Sequence, residues 1–179
     1  MVYMFLAEGF EEIEALCPLD LLRRAGVEVT TVGVGSRTVM GAHGIGVVVD
    51  MTDDELSDFS ADMVILPGGM PGTLNLNASD KVHKAIDEAV KNDSYIAAIC
   101  AAPSILGELG LLRGKEAICY PGFEEKLDGA KISKKRVVVD GKIITAAGMG
   151  VALDFGLALV ELLCGKEKAK VLRKGVIAD

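Results

Sequence analysis

Short apolar runs of strand length recur along the chain with helical periodicity between them, the alternation expected of a largely parallel sheet covered on both faces. The strand-like runs are residues 2–7, 27–32, 63–66, 95–99, 117–119, 136–139 and 143–146. Between the first two, Ile13, Leu16, Leu19 and Leu22 recur every third residue ahead of Arg23, Arg24 and Gly26, a helix with a cationic last turn and a glycine stop. Ser79 is placed to cap a helix running to about residue 92, and 151–163 is apolar nearly all round before Gly165, which predicts a buried helix. Residues after Lys166 are mostly polar and helical in character.

Two regions break the alternation. Residues 33–49 hold five glycines and a valine-rich end, the pattern of a hairpin or an edge excursion rather than a crossover helix. Residues 134–145 place Asp140-Gly141 between β-branched runs, a hairpin signal. With no repeat and no low-complexity linker, residues 1–179 are expected to form a single α/β domain.

Composition narrows the function classes. Aromatic residues are only 4% of the chain while half of it is hydrophobic, so the core is built from aliphatic side chains and disorder is excluded. A net charge of −7 disfavours nucleic acid and anionic membrane surfaces, which are bound through clustered cations. No apolar run approaches the ~20 residues of a membrane span. The opening MVYMFLAEGF has no basic segment and meets Glu8 early, so a cytoplasmic location is expected. Cys17, Cys100, Cys119 and Cys164 form no C-x-x-C pair and no zinc spacing with the two histidines, His43 and His83, so neither a disulfide framework nor a metal site is expected.

Candidate chemistry gathers at the carboxyl ends of the expected strands. In YIAAICAAPSIL a buried-strand pattern runs into Cys100 and then into a helix whose early Pro103 suits a first turn. That is a strand-to-helix elbow, with small neighbours Ala98, Ala101 and Ala102, and the helix start is expected to lower the thiol pKa. A buried, inert cysteine is the bland alternative. VILPGGMPG is a second strand ending in a glycine turn, whose N–H groups could form an oxyanion site with Ala101. No Gly-Lys-Ser/Thr follows it, and the G-x-G sequences at 33 and 148 fail the dinucleotide fingerprint, so no nucleotide cofactor is expected. Glu11, Glu12 and Glu14 follow the first strand. Surface carboxylates in a first helical turn are ordinary. Pro18, however, has no N–H for the Glu14 carbonyl, a local irregularity that could turn Glu14 inward. Beside a thiolate, such a buried carboxyl is tolerable only with its proton on.

The segments GFEEIEALCPLDLLRRAG, VILPGGMPG, YIAAICAAPSILGELGLL and DFGLALVELL together resemble the ThiJ/PfpI superfamily, in the branch of the Parkinson-disease protein deglycase and its bacterial relatives, over essentially the whole chain. The resemblance implies a flavodoxin-like three-layer sandwich of the class I glutamine-amidotransferase type and a homodimer. It also implies an elbow nucleophile at Cys100, its protonated partner at Glu14, and oxyanion donors at Gly69 and Ala101, with no cofactor. Many glyoxalase or deglycase members carry a histidine beside the nucleophile where this chain has Tyr120, a poor proton acceptor at neutral pH. Ala147 stands where relatives often have a long polar side chain, and His43 falls near a position that is often arginine, close to a partner's pocket. The function implied is glyoxalase-like or deglycase-like work on a small reactive aldehyde or its glycated adducts. The alternatives are a non-enzymatic oxidative-stress sensor or chaperone with Cys100 as sulfinic acid, and, third, a peptidase or amidase.

Overall fold

The computed structural model describes residues 1–178; Asp179, the last residue of the expected domain, lies outside the described residues. Its main sheet has seven strands: β1 (Val2–Leu6), β2 (Val29–Gly33), β5 (Met51–Thr52), β6 (Met63–Leu66), β7 (Tyr95–Ile99), β10 (Val137–Asp140) and β11 (Ile143–Ala146). They lie in the order β10-β11-β7-β6-β1-β2-β5. All pairs are parallel except β10 with β11, the hairpin that turns at Gly141-Lys142 directly after Asp140.

Every residue of β1 is buried, and alternate side chains serve different layers. Val2, Met4 and Leu6 pack towards α1 (Glu12–Arg24) and α5 (Ala152–Cys164). Tyr3 and Phe5 pack towards α3 (Asp80–Lys91) and α4 (Pro103–Glu108). This is the three-layer, mostly parallel, flavodoxin-like sandwich, and it explains why the inner strands read as continuous apolar runs rather than alternating ones.

The expected helices appear close to their expected limits. Ser79 caps α3, its Oγ accepting from Val82 N–H. Gly165, at φ +86°, separates α5 from the polar α6 (Lys166–Gly175). Pro18 sits inside α1, so the helix continues through it rather than starting there. Between Pro71 and the start of α3 lies a short α2 (Gly72–Asn77) that the apolar pattern did not mark.

Two sequence readings need correction. The run 117–119 does not join the main sheet. Instead β8 (Glu116–Ala117) pairs with β9 (Lys131–Ile132) in a separate ladder, because the sheet edge beyond β11 is already taken by the antiparallel β10. The glycine-rich excursion is indeed a hairpin, β3 (Thr38–Met40) with β4 (Gly46–Val48), but the chain then returns to the sheet. There β5 adds two residues to the edge beside β2, too short a strand to leave a periodic signal.

Candidate active site

The loop after β1 joins three segments at the carboxyl edge of the sheet. Gly9 N–H donates to the Met40 carbonyl of the hairpin at 2.8 Å, and Ala42 N–H donates back to the Phe10 carbonyl at 2.8 Å. Glu11 N–H donates to the Gly68 carbonyl beyond β6 at 2.9 Å. Glu11 then caps α1, its Oε2 accepting from Glu14 N–H at 2.7 Å. A helix started here turns the Glu14 side chain into the protein, where only 1% of the residue is exposed.

Cys100 follows β7 directly, with φ +67°, the left-handed region that costs a non-glycine residue ~1–3 kcal/mol. Its N–H donates to the Ala146 carbonyl at 2.9 Å and its carbonyl accepts from Tyr120 N–H at 2.7 Å, so strand β11 and the segment after β8 hold the strained backbone in place. Gly68 is the floor of the site. A Cβ there would lie 2.6 Å from Cys100 Cβ and 2.6 Å from Glu14 Oε2, so a side chain would separate the two groups. Gly69, at φ +92°, would bring a Cβ into contact with Glu11 N.

Around the sulfur stand the Glu14 carboxyl and the N–H groups of Gly69 and Ala101. Glu14 Oε2 also accepts from Gly68 N–H at 3.0 Å, and Met149 N–H supports the same carboxyl. Burial raises Glu14 to about 7, against its hydrogen bond with Cys100, while the neighbouring Glu11 charge adds to the rise. The thiol is pushed up to about 12, first by burial and then by the Glu14 carboxylate, with the Gly69 and Ala101 N–H groups pulling the other way. The lowered thiol pKa expected from a helix start is therefore not found. The physical reason is that α4 is only six residues long and begins at Pro103, so its dipole is weak beside desolvation and a facing carboxylate. Burial raises both groups and each disfavours ionisation of the other, so the pair resists losing both protons.

The sequence-derived residues divide into two groups. Cys100, Glu14, Gly69 and Ala101 come together at the sulfur. Tyr120 is tied to the same backbone, half-exposed, with its ring over Gly148: a Cβ on Gly148 would lie 3.2 Å from Tyr120 Cδ2 and 3.8 Å from Glu14 Oε1. His43 is elsewhere. It pairs with Glu12, Nδ1 lying 2.8 Å from Oε2, at the tip of the β3–β4 hairpin. Reading the sequence missed the Gly68 and Met149 N–H groups on Glu14, and it missed the burial of Glu12. The doubled glycine of LPGGMPG carried a signal for Gly68; nothing local marks Met149.

The family model for DJ-1/PfpI proteins matches residues 1–162. The chain belongs to the DJ-1/PfpI family. It is similar to Protein DJ-1 homolog B of Arabidopsis thaliana, 41% identical over 167 residues that cover 92% of this chain. The chain spans 38% of that relative's length. With the glutathione-independent glyoxalase DJR-1.2 of Caenorhabditis elegans it shares 32% identity over 169 residues, 93% of this chain and 90% of the relative. Among solved structures, oxidized Toxoplasma gondii DJ-1 superposes with a TM-score of 0.94 at 34% identity, covering 98% of this chain and 97% of that one. The flavodoxin-like sandwich is thus the DJ-1/PfpI fold, with the thiol at the carboxyl edge of its sheet.

Proposed function

We propose that this DJ-1/PfpI protein converts small α-oxoaldehydes such as methylglyoxal, or their adducts with amines and thiols, through Cys100. The observation that carries the reading is the contact between a half-buried thiol and a buried carboxyl whose pKa stands at about 7, within reach of two main-chain N–H donors. A carboxylate titrating there can both accept and return a proton at neutral pH.

The Glu14 carboxylate takes the thiol proton as sulfur bonds to the aldehyde carbon, and the carbonyl oxygen becomes an alkoxide facing the N–H groups of Gly69 and Ala101. That oxygen takes up the proton to give a hemithioacetal. Glu14 then removes the hydrogen from the former aldehyde carbon and delivers it to the neighbouring carbon, leaving a thioester of lactate. Water hydrolyses the thioester and restores the thiol. No redox partner is needed, since one carbon is oxidised as its neighbour is reduced. The glyoxalase name of the Caenorhabditis elegans relative supports this substrate class. A homodimer belongs to the same proposal, with apolar Ile13, Ile45 and Val48 exposed on α1 and the hairpin. The test is lactate formation from methylglyoxal by the purified protein. Wild type is expected to be active, with Cys100→Ala and Glu14→Gln reduced by at least ~10²-fold; equal activity in Cys100→Ala would sink the reading.

A second reading, a redox sensor, draws on the oxidized state named for the Toxoplasma gondii structure. Two peroxide equivalents would convert the Cys100 thiol to sulfinic acid and release two waters, with Glu14 hydrogen-bonded to the product. Although its resting thiol is raised, Cys100 has Glu14 to take its proton and the Gly69 and Ala101 N–H groups to hold the charge on sulfur, so peptide mass mapping after mild peroxide is expected to show it oxidised before the exposed Cys164. Oxidation of Cys164 first would remove this reading.

A further inference from the structure

The proposed reaction takes place at the aldehyde carbon, and the remainder of the substrate meets the rim around Cys100. Three large uncharged residues stand on that rim: Met70, Tyr120 and Met149, which are 47%, 51% and 53% exposed. They come from three separate loops, after β6, β8 and β11, and each is tied through its main chain to the reacting groups. Met70 directly follows Gly69, whose N–H faces the sulfur. Tyr120 N–H donates to the Cys100 carbonyl at 2.7 Å, and Met149 N–H supports the Glu14 carboxyl. Single exposed apolar side chains are ordinary on a protein surface, whereas several set around one nucleophile mark a binding site. None of the three lies on α1 or on the β3–β4 hairpin, the elements that carry the residues assigned to the homodimer. The charge beside the thiol is acidic: Glu14 touches the sulfur, and Glu11 adds its charge to Glu14. Cations on the neighbouring segments are engaged elsewhere. Arg136 donates to the Gly150 carbonyl and pairs with Asp154, Lys126 lies over the Phe123 ring, and His43 pairs with Glu12.

We infer, building on the proposed reaction at Cys100, that Met70, Tyr120 and Met149 form an acyl subsite that selects α-oxoaldehydes with a neutral, apolar substituent several carbons long over methylglyoxal and over anionic aldehydes. A thioether on an unbranched chain adapts to a flexible alkyl group, and the tyrosine ring offers it a flat apolar face. Each methylene that leaves water against this rim is favourable, by less than full burial would give because the rim is half-exposed. The contact is made equally before and during the chemical step, so it acts through KM rather than kcat. A substrate carboxylate or phosphate would instead face the Glu14 and Glu11 charges with no cation to receive it.

The test compares methylglyoxal with 2-oxoheptanal, which carries a pentyl in place of the methyl group on the same reacting carbons. Wild type is expected to show a kcat/KM at least ~10-fold higher for 2-oxoheptanal, with the gain in KM. Met70→Ser and Met149→Ser are each expected to cut that ratio by ~3-fold or more, while Met70→Leu and Met149→Leu keep it. Because the readout is a ratio within one variant, a general loss of folding or of catalysis does not imitate it. A second arm needs no turnover: alkylation of Cys100, read by peptide mass mapping, with N-pentyl iodoacetamide, iodoacetamide and iodoacetate, each rate divided by the rate with β-mercaptoethanol. The pentyl reagent is expected to gain ~10-fold over iodoacetamide and iodoacetate to lose ~10-fold. Absent turnover of both aldehydes together with a retained pentyl preference at Cys100 would remove the reaction and uphold the subsite. A pentyl preference near one in alkylation, or ratios unchanged by both serine variants, would overturn the subsite even where methylglyoxal is turned over.

Discussion

The Glu14 carboxyl titrates at about 7 in the folded chain against 4.5 for an ordinary glutamate, so between those values the native state holds a proton that the unfolded state has released. Stability from this group is complete below about pH 4.5 and is lost as the pH rises through 7, a loss of order 3 kcal/mol. Glu14→Gln removes the titration. Urea unfolding at about pH 5 and about pH 8 is expected to show wild type losing stability relative to the variant across that interval; parallel curves would mean the carboxyl is solvated. Tyr120 poses a different question at the same scale, because its phenol can donate a hydrogen bond but is a weak base. If a base beside the nucleophile limits turnover, Tyr120→His is expected to raise methylglyoxal turnover by ~10²-fold while Tyr120→Phe leaves it nearly unchanged. A large loss in Tyr120→Phe would instead make the phenol a working donor.

Placement of Glu14 depends on α1, and α1 is held by its close approach to α5. Gly156 on α5 permits that approach: a Cβ there would meet Leu21 Cδ1 at 2.6 Å and Pro18 Cα at 2.9 Å. Leu21 can shift its side chain, whereas Pro18 is backbone and cannot yield without moving the helix. Gly156→Ala is therefore expected to destabilise by ~1–3 kcal/mol and to speed alkylation of Cys100, since α1 carries away from the sulfur the Glu14 carboxylate that holds the thiol pKa up. A thermal unfolding midpoint unchanged from wild type would show that the two helices have slack. The β3–β4 hairpin is the other decisive element, because it buries Glu12 while leaving Ile45 and Val48 in solvent.

For the whole molecule, those exposed apolar side chains beside Ile13 predict association. Sedimentation of wild type is expected to give a dimer, and Ile45→Asp with Val48→Asp a monomer that keeps its sheet; a monomeric wild type would remove the homodimer from the proposal. The layered α/β class was legible in the sequence because strands 63–66, 95–99 and 143–146 are buried on both faces and read as unbroken apolar runs. The elbow was legible too, since small residues around Cys100 and the glycines of LPGGMPG are demands made locally by the backbone. Strand membership was not: 117–119 has strand character, but whether it joins the sheet depends on which edge is free, and β10 had already taken that edge. Nor could sequence order the two acids, because desolvation and the Glu14 charge act through space and outweigh a six-residue helix. The meeting of His43 with Glu12 was likewise invisible, as 31 residues separate them and only the hairpin's return across the loop after β1 brings them together. Periodicity and local chain geometry were thus fixed by the sequence alone, while burial, partner choice and protonation were decided by contacts between distant segments.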